Sequence, residues 1–456
     1  MAGVLMLGAY AAVMSIVTAF ATRRPQNALD FHVADRNMGV WQSALSIAAT
    51  WIWAPALFVS AERAYLQGAI GLFWFLVPNV LCLILFIPFA KKIRDFMPQG
   101  ITLSGFMGEC YGPGTKRVYL FQLSALSVLS TGVNLLAGAA VLTTITGLPF
   151  SLLTVILAAI AYSYSQFSGI KASVITDAVQ MILILAACSL FVPWALYRNG
   201  IGSLLAGFSG PQGEYRNIFS QKGLAVFLSF GLPTAIGLIA GPFGDQNFWQ
   251  RAFSIKRENV GRAFLLGAAA FGIVPLSMGF LGYIARGSGF VPQNPGVVNL
   301  EIVTSIFPAW STLPFVFMLI SGLLSTVDSN LCAMASLTTD ITQSENMAIP
   351  RGAMLINLAL GVFIANLPGI TITNLFLFYG TLRASTFSPT ILTLRGHRLR
   401  HVPSAVICSI AVGLPIFAYG TAIGNSAIKI IGSLLSLGLS GIICSVKGKK
   451  CKGVFR

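Results

Sequence analysis

The chain has 456 residues, of which 55% are hydrophobic and only 9% charged, with a formal net charge of +16. A soluble domain carries about 25% charged residues, so these side chains could not cover a water-facing surface of this size, and a soluble globule and a disordered chain are both excluded. Seven cysteines, most of them inside apolar runs, are too few for a disulfide scaffold, which leaves an all-α polytopic membrane protein.

A bilayer-spanning helix needs roughly 20 mostly apolar residues. Segments of that kind run in chain order over 2–22, 40–68, 70–90, 117–146, 149–169, 171–197, 222–243, 259–285, 311–339, 349–368, 371–394, 403–422 and 425–445. They predict about thirteen transmembrane helices. The first segment has no basic stretch before it and no small-residue cleavage site after it, so it reads as a retained helix and not as a signal peptide. Lysines and arginines crowd one set of alternate connections: Arg23, Arg24 and Arg36; Lys91, Lys92 and Arg94; Lys116 and Arg117; Lys171; Arg251, Lys256, Arg257 and Arg262; Arg351; Arg395, Arg398 and Arg400; and the tail 447–456. The opposite set holds few, among them Arg63, Arg198 and Arg286. Retained positive charge marks the cytoplasmic side, so the N-terminus is expected outside and the C-terminus inside the plasma (cell inner) membrane. The basic excess is thus a signal of orientation in the lipid bilayer and implies no nucleic-acid partner.

Two spans carry breaks. Pro55, in Ala48-Ala49-Thr50-Trp51-Ile52-Trp53-Ala54-Pro55, removes a backbone donor and clashes with the carbonyl four residues back, which frees carbonyls around Ala49 to Ile52. The segment 222–243 holds Phe230-Gly231-Leu232-Pro233, with Gly237 and Gly241 beyond. Unpaired backbone at membrane depth is tolerated where it lines a cavity or an ion site, and interrupted helices at corresponding positions of two halves point to a transporter's binding site; ordinary proline kinks are the alternative. The spacing of the breaks suits a five-plus-five inverted repeat. The expected organisation is an N-terminal peripheral helix and cytoplasmic loop (1–39), a first repeat (40–197), an external loop (198–221), a second repeat (222–394), and two peripheral helices with a basic tail (395–456). A second external loop covers 287–310.

A charge at bilayer depth costs at least ~2.5–3.5 kcal/mol, so Asp177, Asp245, Asp328 and Arg383, all within or at the end of apolar segments, stand out. Asp177 and Asp328 sit among hydroxyls and suit an ion pathway; a structural ion pair is the other reading, and it weighs equally for Asp245. Arg383 could pair with one of these acids or bind substrate. On 311–339, Gly322, Ser325, Thr326 and Ser329 share one helix face. A bare carbonyl at Gly322 and the hydroxyls of Ser325 and Thr326 suit a small hard cation that must leave on each cycle. The same face could equally be a small-residue packing surface.

Several stretches resemble the sodium:solute symporters, the family of the sodium–proline, sodium–galactose and urea active transporters. They are Ala34-Asp35-Arg36-Asn37-Met38-Gly39, Thr102-Leu103-Ser104-Gly105-Phe106 with Tyr111-Gly112, Ser168-Gly169-Ile170-Lys171-Ala172 with Thr176-Asp177-Ala178-Val179-Gln180, Asp245-Gln246 with Gln250-Arg251, and Leu324-Ser325-Thr326-Val327-Asp328-Ser329. The resemblance implies a LeuT-like ten-helix core with peripheral helices and alternating access. It also implies a Na+ site made by the carbonyls of Ala49, Ile52 and Gly322 and the hydroxyls of Ser325 and Thr326, with Asp177 on the ion's exit path. The stretches Trp51-Ile52-Trp53-Ala54, Gly71-Leu72-Phe73-Trp74-Phe75 and Asp245-Gln246-Asn247-Phe248-Trp249-Gln250 are most similar to the urea branch. A slot of Trp51, Trp53 and Trp249 edged by Gln246 and Thr234 would suit a neutral planar polar solute, since a buried solute needs partners for its lost water bonds; these tryptophans could also be packing residues.

The expected function is a sodium-coupled symporter of a small polar organic solute, urea-like or amino-acid-like. A transporter-like sensor and a passive sodium channel are the rivals. An enzyme finds no support, because no phosphate loop or HExxH is present and His32, His397 and His401 fall in predicted cytoplasmic loops.

Overall fold

The computed structural model describes residues 2–21, 28–166, 169–210, 213–344, 346–397 and 399–444. Arg23, Arg24, Ser168, Arg398 and the basic tail lie outside the described residues. Within them the chain is helical, with a single isolated bridge joining Met38 to Ile255. α1 (Ala2–Ala21) leads through α2 (Ala28–Val33) to α3 (Val40–Trp51), α4 (Ala54–Leu57) and α5 (Val59–Phe96). α6 (Leu103–Tyr111), α7 (Pro113–Thr146), α8 (Phe150–Ser165) and α9 (Gly169–Ser209) follow. The middle of the chain forms α10 (Gln221–Val226), α11 (Leu232–Ile239), α12 (Gly241–Gly244), α13 (Gln246–Ser254) and α14 (Val260–Gly287). Then come α15 (Val298–Ile306), α16 (Thr312–Thr342), α17 (Ala348–Ala365), α18 (Ile372–Leu394), α19 (Val402–Ala422) and α20 (Ser426–Cys444).

Among the described residues, nine helical stretches are long and apolar enough to cross a bilayer, from Val59–Phe96 to Ser426–Cys444, which makes this a multi-pass integral membrane protein. The remaining four predicted segments are helical too. However, the apolar parts of α1 and α8 are shorter, 40–68 is interrupted, and α18 carries Arg383 and several hydroxyls. α7 and α16 are the most enclosed of the nine. Their buried faces interleave leucines with small and hydroxylated residues, such as Ser127, Ser130, Thr131 and Gly132 on α7 and Ser321, Gly322, Ser325 and Thr326 on α16. Close approach of backbones does the packing, as expected where lipid removes the hydrophobic drive between helices. A Cβ added at Gly282 of α14 would fall 2.3 Å from the Ala61 carbonyl of α5, and one at Gly237 of α11 would fall 2.7 Å from Cα of Gly380 in α18.

Three features differ from the sequence reading. The interval 198–221 is not a plain loop, because α9 turns at Gly200, which has a left-handed φ of 76°, and stays helical to Ser209. The interval 287–310 contains the nine-residue helix α15 and a 310 turn at Pro295–Val297. The expected break at Phe230–Pro233 is absorbed: a π turn at Phe227–Gly231 widens the helix, and Pro233 sits in the first turn of α11, where no donor is missed. The interruptions in this stretch fall later, at Ala240 and at Asp245, whose extended backbone (φ −105°, ψ 122°) separates α12 from α13.

Candidate functional site

Pro55 acts where its chemistry demands. α3 ends at Trp51, Ile52 and Trp53 leave helical geometry, and α4 restarts at Ala54 with Pro55 in its first turn. The freed Ala54 N–H is taken by Asn134 Oδ1 of α7 at 2.9 Å, so the break is built in and satisfied on its donor side. On the acceptor side, α16 closes onto the gap. The Thr326 hydroxyl donates to the Thr50 carbonyl at 3.1 Å, and the Ile52 and Gly322 carbonyls stand 3.4 Å from the same oxygen. Gly322 permits this approach, since a Cβ there would lie 3.1 Å from the Ile52 side chain. A hydroxyl and three carbonyl oxygens thus converge at one buried point, an oxygen set suited to a small hard monovalent cation. The Ala49 carbonyl accepts the Ile52 N–H at 3.0 Å, which keeps it on the last turn of α3.

Ser325 turns the other way. Its hydroxyl donates to Asp177 Oδ1 at 2.5 Å. The other carboxylate oxygen of Asp177 accepts from Ser46 at 2.6 Å and from Arg251 Nη2 at 2.7 Å. Arg251 also reaches Ser46 at 3.0 Å and Ser329 at 2.7 Å, and Ser329 meets Thr50 at 3.0 Å. The predicted exit-path acid is therefore paired, and Arg251 is not the connecting-loop cation that the charge count took it for. It is buried, carried inward on α13, whose residues are all enclosed. No apolar run surrounds it in the sequence, which hid it from a search for intramembrane charge. Asp328, also buried, accepts from Thr176 at 3.2 Å.

The second cluster centres on Arg383. Its guanidinium pairs with Asp245, donating through Nη2 to Oδ2 and through Nε to Oδ1 at 3.0 Å. Tyr379 donates to the same Oδ1 at 2.8 Å. Around the guanidinium stand the Tyr379, Trp51 and Trp53 rings, at 3.9, 5.0 and 5.3 Å from their centroids. Phe376 edges onto Trp53 at 5.6 Å. Among the described residues, Trp53 Nε1 and Arg383 Nη1 are buried without a hydrogen-bond partner, and a buried donor left in that state costs about 1–3 kcal/mol. Beyond Phe58 and Val59 lies a pocket of about 690 Å³, whose walls include Glu62, Arg63, Asn294 and Asn374.

Of the predicted substrate residues, Trp51, Trp53 and Arg383 come together. Gln246 and Trp249 do not join them. The Gln246 amide accepts from Leu103 N and donates to the Ile101 carbonyl, pinning the start of α6. Trp249 packs on Phe86 at 4.6 Å and donates its indole N–H to the Phe243 carbonyl. Thr234 is buried on α11, its hydroxyl without a hydrogen-bond partner among the described residues. Tyr379, absent from the sequence reading, lies four residues before Arg383 on the same face of α18. Outside the spans, His32 on α2 is buried with neither ring nitrogen hydrogen-bonded among the described residues, and burial pulls its imidazole down to about 4.

The chain is 25% identical over 291 residues to the probable urea active transporter 1 of Schizosaccharomyces pombe, covering 60% of this chain and 43% of that protein. It is 24% identical over 465 residues to the urea active transporter of Saccharomyces cerevisiae, covering 91% and 62%. It thus spans less than two thirds of either relative. Among solved structures, a substrate-bound outward-open Na+-coupled sialic acid symporter superposes with a TM-score of 0.78 over 97% of each chain at 14% identity. That likeness carries the fold alone, which is LeuT-like. The model of the sodium:solute symporter family matches residues 31–345, well over half of the 456 residues, and this membrane protein belongs to that family.

Proposed function

We propose that this chain is a sodium-coupled symporter that moves a small polar organic solute, urea-like or amino-acid-like, across the plasma membrane by alternating access. The observation that carries the reading is the meeting of Thr326 Oγ1 with the Thr50, Ile52 and Gly322 carbonyls at the interruption between α3 and α4. Those oxygens, with Ala49 and Ser325 close at hand, would hold Na+ without a carboxylate in the inner sphere, so the ion is bound weakly enough to leave. A Ser325 that swung from Asp177 to the ion would loosen one hydrogen bond of the Asp177–Arg251 pair, which gives Asp177 its part in ion release. Beside this site, the Asp245–Arg383 pair and the Trp51, Trp53 and Tyr379 rings offer a polar solute an unpaired guanidinium N–H and an indole N–H within an aromatic wall. The membrane potential supplies about 2.3 kcal/mol per charge per 100 mV, enough to drive accumulation of a neutral solute.

In this reading thirteen helices cross the bilayer, with the N-terminus outside and the C-terminus in the cytoplasm. Residues 40–197 and 222–394 form the two inverted repeats, joined through 198–221, with 1–39 and 395–456 peripheral. The test is uptake into proteoliposomes of urea, proline and other amino acids, sugars and small carboxylates, with and without a sodium gradient. Sodium-driven accumulation of one class supports the reading. Sodium flux without solute would identify a channel, and solute binding without flux a sensor.

A further inference from the structure

One groove of the bundle is unused by the site described above. It is an apolar recess of about 480 Å³ between α5, the α11–α12 region and α18, walled by Phe89, Phe243, Phe387 and Ile391, with Lys92 and Arg395 among its lining residues. α5 and α18 are both bilayer-length helices. The two cations stand where these helices end: Lys92 four residues before the end of α5, and Arg395 directly after α18. Neither is in an ion pair among the described residues. Each leans on an aromatic ring, Lys92 on Phe96 at 5.7 Å and Arg395 on Phe89 at 6.0 Å. Asp95, three residues after Lys92 on α5, is paired instead with Arg257 at 2.5 Å. An apolar trough whose wall includes the exposed Leu85 and the half-buried Phe89 and Ile391, and which ends at two cations outside any ion pair, fits a ligand with an apolar tail and an anionic head. Basic pockets between membrane helices on the cytoplasmic side take acidic headgroups for this reason.

We propose that this groove binds one anionic phospholipid, with an acyl chain against Phe89, Phe243, Phe387 and Ile391 and the phosphate between Lys92 and Arg395. The site bears on transport through α12. Phe243 is on α12, and the two glycines that flank it face the solute cluster, since a Cβ at Gly241 would fall 2.4 Å from Trp51 and one at Gly244 would fall 3.1 Å from the Arg383 side chain. A chain packed on Phe243 braces α12 against movement away from Trp51 and Arg383.

The test is native mass spectrometry of the full chain in detergent, titrated with phosphatidylglycerol and phosphatidylcholine of matched chains, and separately with inorganic phosphate and glycerol phosphate. One phosphatidylglycerol should be retained in preference to phosphatidylcholine. Lys92→Gln/Arg395→Gln should weaken it roughly thirty-fold, from the usual attraction of two basic side chains for an anionic lipid surface. Ile391→Trp, which fills the trough and leaves both charges, should weaken it as well. A control pair elsewhere on the basic end, Lys171→Gln/Lys256→Gln, should leave it unchanged. Equal retention of phosphatidylcholine, an equal loss in the control pair, indifference to Ile391→Trp, or equal competition by inorganic phosphate would each overturn the proposal. None of these readouts depends on sodium or on transport.

Discussion

The guanidinium of Arg251 and the carboxylate of Asp177 meet at 2.7 Å with both side chains fully enclosed. Removing one partner of such a pair leaves an uncompensated charge in a low-dielectric interior, at a cost of about 3–5 kcal/mol. Arg251→Gln should therefore lower the unfolding midpoint of the purified protein in detergent substantially. Asp177→Asn combined with Arg251→Gln should recover part of the loss, because no bare charge then remains. A double variant as unstable as the two single losses summed would mean that the pair acts as two independent packing groups.

Thr326 contributes a hydroxyl to the carbonyls at the α3–α4 interruption, whereas Ser325 is engaged by Asp177. Thr326→Ala should raise the sodium concentration for half-maximal uptake by about tenfold or more, the equivalent of one lost ligand of about 1.4 kcal/mol. Thr326→Ser keeps the oxygen and should stay close to the parent protein, while Ser325→Ala should show a smaller shift than Thr326→Ala. Sodium activation curves in proteoliposomes give all three values. An unshifted Thr326→Ala curve would remove the basis for a cation at this interruption.

Arg383 holds Asp245 through two nitrogens, and its guanidinium stands over the Tyr379 ring, 3.9 Å from the centroid. Lysine retains the charge and loses both the fork and the ring stacking. Arg383→Lys should cut solute uptake by at least about tenfold while leaving sodium binding at Thr326 intact, as followed by sodium-induced change in tryptophan fluorescence. If both fell together, the two clusters would be one cooperative unit.

His32 is buried, and burial holds its imidazole at about 4 against an ordinary value near 6.5. A folded value below the unfolded one means that the unfolded chain binds the proton first. Stability from this residue is complete above pH ~6.5 and declines as the pH falls toward 4, with a slope of up to about 1.4 kcal/mol per pH unit. His32→Phe should flatten that decline between pH 7 and 5 in thermal unfolding experiments. An equal decline in the variant would locate the acid sensitivity elsewhere.

The helical membrane class, the interruption at Pro55 and the hydroxyl face of α16 were legible residue by residue, because each follows from local chemistry. Twenty apolar residues must span, a proline must leave its helix short of a donor, and a spacing of three and four must share a face. The second interruption falls at Ala240–Gly241, the later of the places the sequence offered, and not at Phe230–Pro233. A proline can be absorbed by a π turn, as at Phe227–Gly231, and whether it is depends on neighbours that a linear reading does not contain. Gln246 and Trp249 carried the right chemistry for a solute slot but are engaged at Leu103 and Phe86.

By itself, then, the amino-acid order determined that this chain lives in a bilayer, where its backbone gives way first, and which acids and hydroxyls are too polar to face lipid. Only the folded arrangement decided who meets whom: that Asp177 takes Arg251, that Asp245 takes Arg383, and that Ser325 and Thr326, adjacent on one helix, face different partners. Ion pairs between residues 74 and 138 positions apart depend on how helices cross, and the crossing is set by packing summed over the whole bundle rather than by any stretch of sequence that could be read alone.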